Sequence, residues 1–335
     1  MIHAENKSHI LEDICFYVTV DNHPHAYLFD CGMARYLAPG DCKNIQAVFI
    51  THTHIDHFSN FDTLLRHQLG VNRKITICGP RGLARQVQSR ILSYTWNLIR
   101  RRSVVYEVRE LQDQWMEVYQ VYPPRWELKK IEEVRTPERL CFKEAGILVH
   151  FAVLDHKIPS IAYLLEEEST VNIGEFPFRP GPWIRELKQA HGDGAADREI
   201  AMEDGTSQRA GELFKYLYVK VGGKFGYAMD HLACDANHNK LMELWRGADE
   251  VAIEGYFRDC DRGFALRHYH STVRESGKVA RLAGVKKLTL VHHSRRYAKD
   301  LKDLLEEGYA SFEDREPSYE IQPVARYEDS EVLDE

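Results

Sequence analysis

The chain has 335 residues, 44% of them hydrophobic, which is enough to bury a large core in one domain or two smaller ones. A formal net charge of −7 argues against a protein that grips nucleic acid over its whole surface, so a polyanionic substrate would have to be held locally. Seven cysteines without a C-x-x-C pair exclude a disulfide framework and a thiolate zinc knuckle; apolar runs are short and no basic-then-apolar start is present, so a cytoplasmic protein that does not associate with membranes is expected.

Taken in chain order, the first strand-like segments are "AYLFDCG" (26–32) and "AVFITHTH" (47–54), each closing on polar residues. The stretch 93–140 is rich in aromatic and charged residues and is expected to be a helical or hairpin insertion, serving as a lid or an interface; its Trp, Tyr and Arg content suits burial or base stacking. "ILVHFAVLDH" (147–156) is the next strand. The polar, glycine-rich stretch 166–221 is expected to be a projecting arm, because few of its residues could contribute to a core. Strands resume with "KFGYAMDH" (224–231), "EVAIEG" (250–255) and "KLTLVHHS" (287–294). Before the last of these, "STVRESGKVARLAGV" reads as a helix with Val273, Val279, Ala280 and Leu282 on one face and Gly284 as its C-terminal stop. The acidic tail "YEDSEVLDE" is expected to fray, and the whole chain, 1–335, to form one domain around these strands.

The densest chemistry lies in "THTHIDH". His52, His54, Asp56 and His57 follow an apolar strand at the spacing H-x-H-x-D-H, which in a tight loop suits two metal ions a few ångströms apart. A hydrogen-bonded polar turn is the bland alternative, but imidazoles at this spacing seldom serve packing alone. Four residues cannot complete two metal shells. His156, Asp230 and His292 each close a strand where an inward-pointing ligand would sit; singly each would pass for a cap or a surface residue, and their joint occurrence favours a ligand set.

H-x-H-x-D-H after a strand resembles the metallo-β-lactamase superfamily, and later segments resemble its ribonuclease Z branch: "DHKIPSIAYLLEE", "PGPWIRELK", and above all "YHSTVRESGKVARLAGVKKLTLVHHSRRY". The likeness runs in order from about Tyr27 to Tyr297. It implies an α/β chain folded as a four-layer αββα sandwich, with His52, His54 and His156 on one zinc, Asp56, His57 and His292 on a second, and Asp230 bridging. Manganese or iron would suit the same donors. The resemblance further implies a phosphodiesterase whose nucleophile is a hydroxide held between the two ions, with Asp56 able to take its proton, acting as an endoribonuclease on the 3′ end of a tRNA precursor. His270 of "YHST" matches a residue that contacts the scissile phosphate, with Glu254 as its orienting partner; the plainer reading makes His270 a helix-start residue beside a Ser271 or Thr272 cap. Arg179, Arg185 and Lys188 would contact RNA phosphates from the arm, or be solvated charges touching nothing. A homodimer is also implied.

The chain departs from that pattern in three places. Its N-terminus lacks the branch's Gly-rich and Pro/Arg loop, Met229-Asp230-His231 replaces Gly-Asp-Thr, and "IEG" stands where the branch has His-Glu-Ala. The alternatives are therefore a hydrolase of a small phosphodiester such as a cyclic nucleotide, an ester or lactone hydrolase, or a non-catalytic binding module. His67, His231, His268 and His293 are read as surface or satisfied core histidines.

Overall fold

The computed structural model describes residues 1–99 and 103–317; the acidic tail lies outside the described residues. Eight strands form a first sheet in sequence order: β1 (Ile2–Asn6), β2 (Phe16–Val20), β3 (Ala26–Phe29), β4 (Ile45–Phe49), β5 (Lys74–Pro80), β6 (Val105–Gln112), β7 (Trp115–Tyr122) and β8 (Glu127–Arg135). β3 to β6 run parallel, so each connection must cross over the sheet, and short helices do this: α1 (Pro39–Asn44), α2 (Ile55–Phe58), α3 (Phe61–Gln68) and α4 (Leu83–Leu92). β4 reads "IQAVF" and every residue in it is buried, as expected of a central strand covered on both faces.

The segment expected to be a helical or hairpin insertion forms antiparallel strands. β6 also pairs with β5 along its length, so this segment extends the first sheet. Trp126 is fully buried there, its ring 5.3 Å from that of Trp96.

The second sheet begins with β9 (Leu140–Glu144), β10 (Ile147–His156) and β11 (Ile158–Glu167). Ala145 and Gly146 both have positive φ, which suits the tight turn between β9 and β10. Residues 167–223 then form a compact unit of their own. It contains β12 (Thr170–Ile173), α5 (Trp183–Gly192), β13 (Glu199–Ala201), β14 (Ser207–Arg209), α6 (Ala210–Leu213) and β15 (Leu217–Lys220). The expectation that stretch 166–221 has little to bury is corrected here. α5 places Trp183, Leu187 and Ala190 on one face, and these pack with Ile200, Met202, Ala210 and Leu213 in a separate small core.

After that unit come β16 (Lys224–Ala228), α7 (Asp235–Leu244), β17 (Glu250–Glu254), α8 (Arg262–Arg267), α9 (Val273–Leu282), β18 (Lys287–Val291) and α10 (Leu301–Phe312). The sheet order is β18-β17-β16-β11-β10-β9, with β16 to β18 parallel. Aromatic and aliphatic residues from both sheets, among them Phe29, Phe49, Phe142, Tyr163 and Tyr227, form one cluster between them. A second cluster joins the first sheet to α3 and α4, and a third joins the second sheet to α7, α9 and α10. The layers are therefore helix, sheet, sheet, helix.

Leu282 does not share the buried face of α9: it is 55% exposed, while Val273, Ser276, Gly277 and Ala280 point inward at helical spacing. Gly277 allows α10 close, since a Cβ there would stand 2.3 Å from the Gly308 carbonyl oxygen. Among the described residues no helix is long and apolar enough to cross a membrane.

Candidate metal centre

The buried strand β4 delivers Thr51 and His52 to the end of the first sheet, and the single helical turn of α2 follows with His54 at its N-cap. Across from them β10 ends on His156, β16 leads into Asp230, and β18 leads into His292. Parallel strands gather their C-terminal ends along one rim, and sites are built there. All seven predicted donors meet at this rim. Ligand atoms of His52, His54, His156 and Asp230 lie within 4.8 Å of one another, as do those of Asp56, His57 and His292.

Asp230 stands between the two groups. Its Oδ2 is 3.6 Å from Nε2 of His52, of His57 and of His156, and its Oδ1 is 2.8 Å from His292 Nε2. Asp56 approaches the second group, 3.5 Å from His57 Nε2 and 3.8 Å from His292 Nε2. The Nε2 atoms of His52 and His57 are buried without a hydrogen-bond partner, a costly state that a cation between donors at this spacing relieves. Charge points the same way. Burial pushes the His57 pKa down, yet Asp230 and Asp30 outweigh it and hold it well above normal, so the pocket favours positive charge. His52 is driven well below normal by burial and by its imidazole neighbours, and so presents a neutral ring. These residues fit a divalent metal centre.

Partners behind the donors fix their rings. His156 Nδ1 lies 2.7 Å from the Tyr269 carbonyl oxygen, which turns its Nε2 inward. The sequence reading missed Asp30. This fully buried carboxylate follows β3 and accepts from the Thr51 backbone N–H at 2.7 Å and the Tyr227 hydroxyl at 2.9 Å, and it meets His57 Nδ1 at 2.9 Å. The available signal was an aspartate closing an apolar strand, as for Asp230. Asp30→Asn is expected to weaken metal binding by about 10- to 100-fold, read by competition against a chromogenic chelator; unchanged affinity would remove Asp30 from the support of the centre.

His270 stands at the edge of the cluster. Its Nδ1 is 2.8 Å from Glu254 Oε2 and 3.9 Å from Asp230 Oδ1, and the Tyr256 ring stacks on its face at 4.1 Å and 10°. Burial lowers its pKa, but Glu254 and Asp230 outweigh this and raise it; Glu254, opposed by burial, is drawn down to about 2 by His270 and His231. Thr272 caps α9 by accepting from the Glu275 N–H at 3.3 Å. The cap and the rim position of His270 are therefore separate features.

Arg179, Arg185 and Lys188 lie in the 167–223 unit and are not part of this cluster; the two arginines are exposed, and Lys188 Nζ is 3.4 Å from Asn172 Oδ1. His67 is half-buried and His268 exposed. His293 is buried between the carbonyl oxygens of Gly255 and Leu290. His231 is neither a surface nor a satisfied core histidine: it is fully buried, its Nδ1 3.0 Å from Glu254 Oε1 and its Nε2 without a hydrogen-bond partner. Backbone strain gathers at this rim as well, with positive φ at Asp30 (54°), Lys157 (61°), Asp230 (39°), Tyr269 (59°) and His292 (55°).

Residues 25–121 match the Beta-lactamase superfamily domain. The chain is 29% identical over 320 residues to Ribonuclease Z of Deinococcus radiodurans, covering 90% of each chain. It is 28% identical over 313 residues to Ribonuclease Z of Trichodesmium erythraeum, covering 88% of this chain and 84% of that one. Among solved structures it is similar to the metallo-β-lactamase fold protein YhfI from Bacillus subtilis, with TM-score 0.53, 14% identity, and 90% and 86% of the two chains covered. It is also similar to the short form of human tRNase Z, with TM-score 0.51, 21% identity, and 84% and 86% covered. The fold is that of the metallo-β-lactamases.

Proposed function

We propose that this metallo-β-lactamase-fold chain is a metal-dependent phosphodiesterase of the ribonuclease Z kind, cutting RNA at the 3′ end of a tRNA precursor in the cytoplasm. One observation carries the reading: the Asp230 carboxylate lies within 3.6 Å of four imidazoles in both donor groups and 3.9 Å from His270, so a metal-ligand set adjoins the His270–Glu254 pair at one residue. The relatives named Ribonuclease Z, matched along most of both chains, support the RNA substrate.

His52, His54 and His156 would hold one zinc and Asp56, His57 and His292 another, with Asp230 shared; manganese and iron suit the same donors. When bound, such ions act as Lewis acids on a phosphoryl oxygen and lower the pKa of a water. The half-exposed Asp56 carboxylate accepts the proton of the attacking water, an oxygen–phosphorus bond forms, and the bond to the 3′ oxygen breaks. Glu254 binds Nδ1 of His270, which leaves the other nitrogen to pass a proton to the departing oxygen.

The test is cleavage of an unprocessed tRNA transcript by the metal-loaded protein beside His54→Ala. Discrete 3′ trimming by wild type, lost in the variant, is the expected result. Intact RNA together with hydrolysis of bis-p-nitrophenyl phosphate would move the substrate to a small phosphodiester such as a cyclic nucleotide, and preference for a carboxylic ester would overturn phosphodiester chemistry altogether.

A further inference from the structure

His231 takes no part in the chemistry described so far, although it is fully buried one residue after Asp230 and faces Glu254. Its Nε2 is buried without a hydrogen-bond partner and its Nδ1 faces only the Glu254 carboxylate, an arrangement that costs stability unless the ring serves that carboxylate. That service lies in how Glu254 is divided. One oxygen, Oε2, meets His270 Nδ1 at 2.8 Å. The other, Oε1, accepts from the His231 backbone N–H at 2.6 Å and has His231 Nδ1 3.0 Å away, in an oblique contact rather than an aligned hydrogen bond. Without the ring, the backbone N–H alone would hold Oε1, and the space left beside it would let the carboxylate tilt, loosening Oε2 from His270.

We propose that His231 is the positioning residue of the acid–base pair: its ring and backbone N–H pin Oε1 of Glu254, so that Oε2 fixes the orientation and tautomer of His270. This rests on the phosphodiesterase reading for its kinetic consequence but not for its structural one.

Zinc-loaded wild type, His231→Ala and His231→Asn are to be compared, the asparagine amide standing near the place of imidazole Nδ1. In His231→Ala, kcat on an RNA substrate should fall by about 10- to 100-fold with KM and metal content unchanged. In the same protein, at a pH where the His270 ring is neutral, its 15N resonances should shift from a single Nδ1-protonated form toward tautomer averaging. His231→Asn should restore both. Unaltered His270 resonances in His231→Ala, or loss of metal alongside activity, would overturn the proposal, the latter because the effect would then run through Asp230. If wild type turned over no phosphodiester, the substrate reading would fail, and the resonances would still decide the role of His231.

Discussion

Asp230→Ala is expected to lower hydrolysis of bis-p-nitrophenyl phosphate by about 1000-fold or more, equivalent to roughly 4 kcal/mol of lost transition-state stabilisation, and to reduce bound metal at the same time. The size follows from its position. Asp230 is the carboxylate common to both donor groups, and its own pKa is held well below normal: burial opposes ionisation, and the charges of His292, His270 and His57 overcome it. Removing it leaves imidazoles facing each other around an uncompensated space. Asp230→Asn keeps the shape and loses the charge, so it separates a folding defect from an electrostatic one. Elemental analysis and steady-state rates on both variants provide the check, and full metal content with normal rates in either would dismantle the proposed centre.

His270→Ala should behave differently, lowering kcat on RNA by about 100- to 10,000-fold while leaving metal content intact, because this ring stands 3.9 Å from Asp230 and belongs to neither of the two groups that gather the seven predicted donors, its own group being Asp230 and Glu254. The loss should be much smaller on bis-p-nitrophenyl phosphate, whose p-nitrophenolate departs without a proton. Equal losses on the two substrates would show that His270 does not protonate the leaving oxygen. Glu254→Gln should reproduce the same substrate dependence at reduced amplitude, since it perturbs the orienter and leaves the ring in place.

Much of the centre could be read from the chain because its donors obey a local rule. "THTHIDH" is contiguous, and His156, Asp230 and His292 each terminate an apolar run, so a layered αβ reading of the sequence alone brings them to one rim. The supporting residues obey no such rule. Asp30 reaches His57 and Thr51 only because β3 and β4 are neighbours, a fact of sheet order that no spacing encodes. The role of His231 is hidden in the sequence for the same reason, although its place after Asp230 marks it as a departure: its partner Glu254 lies 23 residues away on the adjacent parallel strand. The misplaced Leu282 and the unexpected core under Trp183 are a different kind of miss. In each the hydrophobic residues were visible, but which face they shared depended on the helical phase and on what packed opposite.

The left-handed residues at the rim bear on where this protein could be made more stable. An L-residue held there costs roughly 1–2 kcal/mol, and glycine would escape that cost. At Asp230 and His292 this route is closed, because glycine would delete the donor along with the tension. Lys157, whose side chain the centre does not use, is a place where the strain could be released. Lys157→Gly is thus the substitution that relaxes a corner of the rim, while the corners carrying Asp230 and His292 keep their strain as a fixed cost of holding the donors.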